Sequence, residues 1–493
     1  MKYFDLGITE LHKALVNKEV SVEELVKEAI KRAKEDTNNA FEMIINEDAI
    51  SKAKELDKSS IPESNLFYGI PFVAKNNFST KGYETNASSN ILNGYVPVFD
   101  ATVITLLENA GAILIGKTTL DELAMGGTGT TGHLGVTYNP YDLSKTHLCG
   151  GSSVGSAAAV ASGIVPFALG SDTGDSVRKP ASYTGLVGFK PTWGLISRFG
   201  LFPFAPSLDH VAYFTRSVED SALALDILSK HDENDSTSSF KKRDVYGDVK
   251  ANLKGKKIAV INQIINSITD KTLKDKFNKS IEYFNKNGAK VLYIDFDLDL
   301  LKAIYPTYFI ISCAEATSNN ANLDGIKFGP NYGGKTYEEV MFNARTRGFS
   351  PLIKRRFVIG SYALMRENQK ELFLRAQKVR HVIVDKVNEI FKDFDAIYLP
   401  AAPSVAPKID NSSENVNENY VIADNWLAIG NFGGFPSITL PIGIEDDLPL
   451  GVNLTAKPFD EKNLLSIALG LEEHTGLKGM NIFNYKDLNK EGK

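Results

Sequence analysis

Apolar positions along the chain recur with two periods that alternate, and the alternation predicts a mixed α/β architecture. Residues 21–35 open on Ser21 and Glu24, spaced as a capping box. Val22, Leu25, Val26, Ala29, Ile30 and Ala33 then form one helical stripe. Residues 66–74 (LFYGIPFVA) are a nearly continuous apolar run, which predicts a buried strand leading into Lys75. Asp100 is expected to cap a helix over 102–109 that stops at Gly111, before a strand over 112–115. Strand, helix and strand follow over 257–262, 274–287 and 290–296. Strands over 436–443 and 450–457 and a helix over 464–474 close the pattern. Two polar stretches, 231–244 (HDENDSTSSFKKRD) and 409–420 (IDNSSENVNENY), are expected as surface loops. No clean linker divides the chain, so one large domain with an inserted or appended lobe is expected.

From 126 to 200, glycine and serine punctuate short apolar runs such as IVPFALG. A flexible linker lacks such runs, so the stretch reads as a glycine-dependent scaffold around a site. Composition then bounds the function. With 493 residues, 43% hydrophobic and 23% charged, the chain can bury a large core. Its 55 Lys+Arg against 60 Asp+Glu give −5, which argues against a protein that grips nucleic acid chiefly by itself. Two cysteines, Cys149 and Cys313, cannot build a disulfide framework and fit a reducing compartment. The first residues, MKYFDLGITELHKAL, hold no secretory apolar segment, and the most apolar stretch (157–170) is too short to span a bilayer. The expected location is the cytoplasm.

Three familiar spellings fail on context. GAILIGKT (111–118) reads as a P-loop, but its AILI centre belongs in a buried strand and a helix precedes it. GTGTTG (127–132) matches a dinucleotide fingerprint, yet it follows the helix-like DELAM where a strand is required. GSSVG (151–155) centres a nucleophile elbow on Ser153, but polar DLSKTHLC leads into it, and His210, His231, His381 and His474 downstream offer no evident partner. Seven histidines without HExxH or paired cysteines predict no metal site. Cys149 and Cys313 lack the basic, helix-start setting of a reactive thiol and read as packing residues.

What survives is a lysine at a strand end and two small-residue turns, GGSSVGS (150–156) and GSDTGDSVRKP (170–180). Small residues let backbone N–H groups converge, as an oxyanion hole requires. A serine nucleophile without histidine needs another base, and a lysine serves if burial lowers its pKa. Moving that pKa from about 10.4 to about 7 costs about 4–5 kcal/mol, which demands a well-packed core.

At these residues the chain resembles the amidase signature family. IPFVAKNN (70–77), GGSSVGSAAAVASG (150–163) and DTGDSVRKPAS (172–182) match the family's three ordered motifs. The resemblance implies an α/β amidase-signature fold: a single large domain whose large mixed central β-sheet is flanked on both sides by helices. It divides the chain into an N-terminal helical segment (1–60), the signature core (61–230), a substrate-binding lobe (231–477) and a tail (478–493). It implies Ser176 as nucleophile, Ser152 as a bridging serine held by a cis peptide, and Lys75 as general base. Backbone amides of Thr173, Gly174 and Asp175 would receive the oxyanion. Four positions depart from the family pattern: Asp175 and Val154 replace Gly, Cys149 a usual Pro, and Asn76 a usual Asp. A carboxylate at 175 would oppose a developing oxyanion unless it points away or pairs with Arg178 or Lys179.

Text outside the motifs, including SRFGLFPFAPSLDHV (197–211) and GGFPSITLPIG (433–443), is similar to the glutamine-hydrolysing subunits of tRNA-dependent amidotransferases. That similarity runs from about residue 4 to 477. It implies a glutaminase that supplies ammonia for converting Glu-tRNA(Gln) to Gln-tRNA(Gln) within a heterotrimer with B and C subunits. The tRNA, ATP and Mg would sit mainly on the partner, leaving this chain without a cofactor and with no membrane. Glutamine would be held by Tyr308, Arg356 and Asp424, with Arg355 as the alternative arginine. An arginine fork suits an α-carboxylate and an aspartate an α-ammonium. Two other readings stand beside this one: a stand-alone amidase acting on a small or acyl amide, and a silent scaffold protein, for which Asp175 is the motive.

Overall fold

In the computed structural model, which describes residues 2–241, 244–409 and 424–491, the capping box starts a helix at Val22–Lys34. Ser21 Oγ accepts the Glu24 backbone N–H at 3.1 Å, and Glu24 Oε2 accepts that of Ser21 at 2.9 Å. All six residues of the predicted stripe are buried.

Eleven strands make one mixed sheet: β1 (Phe41–Ile44), β2 (Pro71–Lys75), β3 (Ile113–Thr118), β4 (Phe167–Asp172), β5 (Val187–Lys190), β6 (His210–Thr215), β7 (Lys257–Ile261), β8 (Lys290–Ile294), β9 (Ala396–Pro400), β10 (Ser437–Glu445) and β11 (Leu448–Thr455). Their spatial order is β1-β3-β2-β4-β6-β5-β10-β11-β9-β7-β8. β2 runs parallel to β3 and β4, and β7 runs parallel to β8 and β9; the remaining pairs are antiparallel. Strands β2 to β6, β9 and β11 are buried along their whole length, because helices cover the sheet. The edge strands β1 and β8 stay partly open to solvent.

Several expected boundaries move, each for a local reason. The 66–74 run becomes strand only from Pro71, because Gly69 takes a positive φ in a turn packed so closely on Val22 that a Cβ would come within 2.7 Å. Asp100 does not cap the helix Thr102–Asn109: its carboxylate accepts the Lys81 N–H, and Ala101 holds the cap position. Strand β3 runs on to Thr118 and takes in the lysine of the P-loop spelling. Lys117 is fully buried, donating to Phe78 O and Thr85 Oγ1. The 231–244 excursion is tied down at buried Asp232, which accepts from Ser197 Oγ at 2.6 Å; residues 242 and 243 lie outside the described residues. The second polar loop likewise lies outside them from residue 410 onward. Among the described residues no helix is long and apolar enough to cross a membrane.

Two helices the pattern does not single out matter for the site. Leu298–Asn319 carries Tyr308, and Pro351–Leu364, capped by Ser350, carries Arg356. They pack on each other, and Gly360 makes the close approach: a Cβ there would lie 2.1 Å from Cys313 O.

Candidate active site

Lys75 ends β2 inside the sheet and is fully buried. Its Nζ lies 2.7 Å from Ser152 Oγ, 2.8 Å from Ser171 Oγ and 3.0 Å from Ser153 Oγ. Burial lowers its pKa from 10.5 to about 7, with Asp121, Asp172 and Asp209 opposing the shift. A neutral amine has two N–H donors and one lone pair. Three surrounding hydroxyls can therefore take both protons and leave the lone pair facing a serine O–H.

Ser152 follows a cis Gly151–Ser152 peptide and is fixed by the loop that spells a dinucleotide fingerprint. The amides of Thr128, Gly129, Thr130 and Thr131 converge on an anion, as such loops do, but the anion is the chain's own Asp121. Its carboxylate accepts all four N–H groups at 3.0–3.1 Å and the Thr131 hydroxyl at 2.8 Å. Asp121 N–H donates to Ser152 O at 3.1 Å and Gly151 N–H to Gly127 O at 2.9 Å, so the same nest holds the serine turn. A Cβ on Gly151 would lie 1.9 Å from Asp121 Oδ2 and 2.8 Å from Gly129 N. Gly151→Ala is therefore expected to destabilise the fold by about 1–3 kcal/mol, read as a lowered urea midpoint with unchanged slope.

Ser176 lies just beyond β4. Its carbonyl accepts the Ser153 N–H at 3.2 Å, which ties the two serine turns together. Among the described residues no hydrogen bond joins the Ser152 and Ser176 hydroxyls, and none takes the backbone N–H groups of Thr173, Gly174, Asp175 or Ser176. The turn is shaped from behind by the buried Asp172–Arg178 pair. Arg178 Nη2 reaches Asp172 Oδ1 at 2.8 Å and Gly174 O at 2.7 Å, and Asp172 also accepts the Val177 N–H. Burial resists ionisation of Asp172, but Arg178 reverses that and holds the carboxyl well below the usual range.

Tyr308 lies over this turn, so close that a Cβ on Gly174 would meet its ring at 3.0 Å. Arg356 is packed near the rings of Phe309 and Phe204, at 5.1 and 5.9 Å, and its Nε and Nη1 are buried with no hydrogen-bond partner. Buried N–H donors are seldom left unpaired, so these two nitrogens can receive an anion or a water. Arg355 is exposed on the same helix. Asp424 Oδ1 accepts from Lys179 Nζ at 2.5 Å, and Lys179 pairs as well with Asp175 Oδ2 at 3.2 Å. Asp175 thus turns its carboxylate towards Lys179, four residues on; burial raises its pKa and Lys179 opposes the rise.

Ser153 and Ser171 join the site without a place in the motif reading. The sequence offers Ser153 only as an elbow nucleophile, yet its hydroxyl donates to Ser171 O at 3.0 Å and faces Lys75. Ser171 does leave a signal: it is a polar residue inside a fully buried strand parallel to the one that ends in Lys75. Cys149 is buried against Ala40, Val154 and Ala158, and burial pushes its thiol far up. Among the described residues no group of three or more His, Cys, Asp or Glu is placed to hold a metal ion.

A buried lysine amine on a serine hydroxyl, beside a turn of unpaired amides, suits acyl transfer from amides, and the chain belongs to the amidase family, whose model matches residues 24–465. The likeness extends to particular members. A Pediococcus pentosaceus protein, named as the A subunit of glutamyl-tRNA(Gln) amidotransferase, is 39% identical over 480 residues, spanning 96% of this chain and 98% of that protein. A Lawsonia intracellularis protein of the same name is 39% identical over 481 residues, spanning 96% and 97%. The crystal structure of the A subunit of glutamyl-tRNA(Gln) amidotransferase from Thermotoga maritima superposes with a TM-score of 0.79 at 33% identity, covering 97% of each chain.

Proposed function

We propose that this chain is the glutaminase component of a tRNA-dependent amidotransferase, making ammonia from glutamine for the conversion of Glu-tRNA(Gln) to Gln-tRNA(Gln). The observation that carries the reading is the fully buried Lys75 amine 2.7 Å from Ser152 Oγ. Neutral Lys75 accepts the Ser152 proton while Ser152 accepts that of Ser176, the two hydroxyls closing on each other as the amide fills the site. Ser176 Oγ bonds to the carboxamide carbon, and the carbonyl oxygen gains its charge facing the amides of Thr173, Gly174 and Asp175. The relay returns its proton to the nitrogen as the C–N bond breaks and ammonia leaves. Water, deprotonated by the same relay, then attacks the acyl ester, releasing glutamate and restoring Ser176.

Specificity for glutamine rests on Arg356, whose unpaired Nε and Nη1 suit the α-carboxylate, on Tyr308 over the Gly174 turn, and on Asp424 for the α-ammonium. The reading assigns the glutamyl-tRNA, ATP and Mg to partner B and C subunits in the cytoplasm. The net charge of −5 is in keeping with a chain that leaves tRNA to others. Ammonia release is expected to be faster from glutamine than from propionamide or benzamide, and faster again when the partners are added. A preference for the simple amides with no effect of partners would instead mark a stand-alone amidase. Arg356→Met is expected to lower kcat/KM for glutamine by about 30–100-fold, mainly through KM, as loss of a charge-assisted clamp does.

A further inference from the structure

We propose that Asp175 is a specificity-determining residue: its carboxylate restores to the pocket the negative charge that Lys179 takes from Asp424, so that the site accepts the α-ammonium of glutamine. This rests on the glutaminase reading above. An aspartate reserved for an α-ammonium should be unpaired, but Asp424 is not. Lys179 Nζ lies 2.5 Å from its Oδ1 and also donates to its backbone carbonyl. A neutral Lys–Asp pair offers an incoming ammonium little attraction, and it places a like charge beside it.

Asp175 changes that arithmetic. It lies 3.2 Å from the same Lys179, and its own carbonyl accepts the Lys179 N–H at 2.8 Å, so one turn of chain fixes the pair. The lysine side chain is 5% exposed, whereas the side chains of Asp175 and Asp424 are 25% and 24% exposed. The cation is therefore the most deeply buried of the three, and the two anions lie nearer solvent. With both carboxylates ionised the trio carries −1; without Asp175 it carries zero. The neighbouring Asp172–Arg178 pair is buried, mutually satisfied and sums to zero. Arg356 supplies the complementary positive charge, with Tyr308 placed near both Arg356 and Asp175. Lys179 also draws the Asp175 carboxylate towards itself, while the residue keeps its backbone N–H for the oxyanion.

The test is charge arithmetic in the full chain with its partners. The readout is the ratio of kcat/KM for glutamine to kcat/KM for 4-carbamoylbutanoate, which has the same amide and carboxylate but no ammonium. The ratio is insensitive to the fraction of active protein, so partial misfolding does not disguise the result. Asp175→Asn should lower it about tenfold or more. Asp175→Asn combined with Lys179→Gln returns the trio to −1 and should bring the ratio back to within about threefold of the parent. If the single variant keeps the ratio, or the double variant fails to restore it, the inference is overturned. Asp424→Asn separates this from the reading beneath it. A lost ratio there with an intact one in Asp175→Asn sinks only the role of Asp175, whereas an intact ratio in Asp424→Asn removes the ammonium site itself.

Discussion

Ser176→Ala is expected to reduce ammonia release from glutamine by about 10⁵-fold or more, the scale on which serine nucleophiles fail when their oxygen is removed. The residual rate would come from the unpaired amides of the 173–176 turn and from binding alone. Glutamine should still bind the variant, because Arg356, Tyr308 and Asp424 are untouched. Calorimetric titration showing retained binding with lost turnover would place the defect in the chemical step. Undiminished ammonia release would remove Ser176 as nucleophile.

Lys75→Met is expected to act in two opposite directions. Loss of the base should lower kcat/KM by about 10³–10⁴-fold. In the parent, kcat/KM should rise with pH through a limb near pH 7, because Lys75 works unprotonated and burial sets its pKa at about 7. Stability should move the other way. A lysine that titrates at 10.5 when unfolded and about 7 when folded leaves the unfolded chain holding the extra proton between those values. Stability therefore rises with pH across that window, and the full cost is present below it. At pH 7 that cost is about 4 kcal/mol. Three serine hydroxyls losing their partner offset about 1–3 kcal/mol, leaving Lys75→Met about 1–3 kcal/mol more stable than the parent at pH 7. The gain should shrink when urea unfolding is repeated near pH 10. An inactive variant with no gain in stability would mean that the amine is hydrated.

How much of the site is legible in the chain itself depends on distance along it. The burial of Lys75 can be read because apolar residues lead directly into it. The capping box at Ser21 can be read because both its members lie within one turn. The contacts of Ser153 and Ser171 with Lys75 span 78 and 96 residues and cannot be read, although a serine inside a buried strand marks Ser171 as unusual. Context rightly excludes GTGTTG as a nucleotide site, but the loop's actual role stays hidden, because a phosphate and an internal carboxylate ask the same thing of a row of amides. Asp100 misleads because an aspartate before a helix is a sound cap, and here Lys81 claims it instead. Chemistry narrows the partner of Asp175 to Arg178 or Lys179. Geometry chooses Lys179, because Arg178 is committed to Asp172 and Gly174.

Strands β10 and β11, from residues 437–455, lie in the middle of the sheet, between β5 and β9. A growing polypeptide that has already made Lys75, Ser152 and Ser176 therefore still presents β5 as an open, unpaired border. The sheet can close only after some 250 further residues have left the ribosome, so this is a slow-folding topology with a long exposed interval. A chain that ends before residue 437 would therefore carry Lys75, Ser152 and Ser176 without the two central strands that join the halves of their sheet.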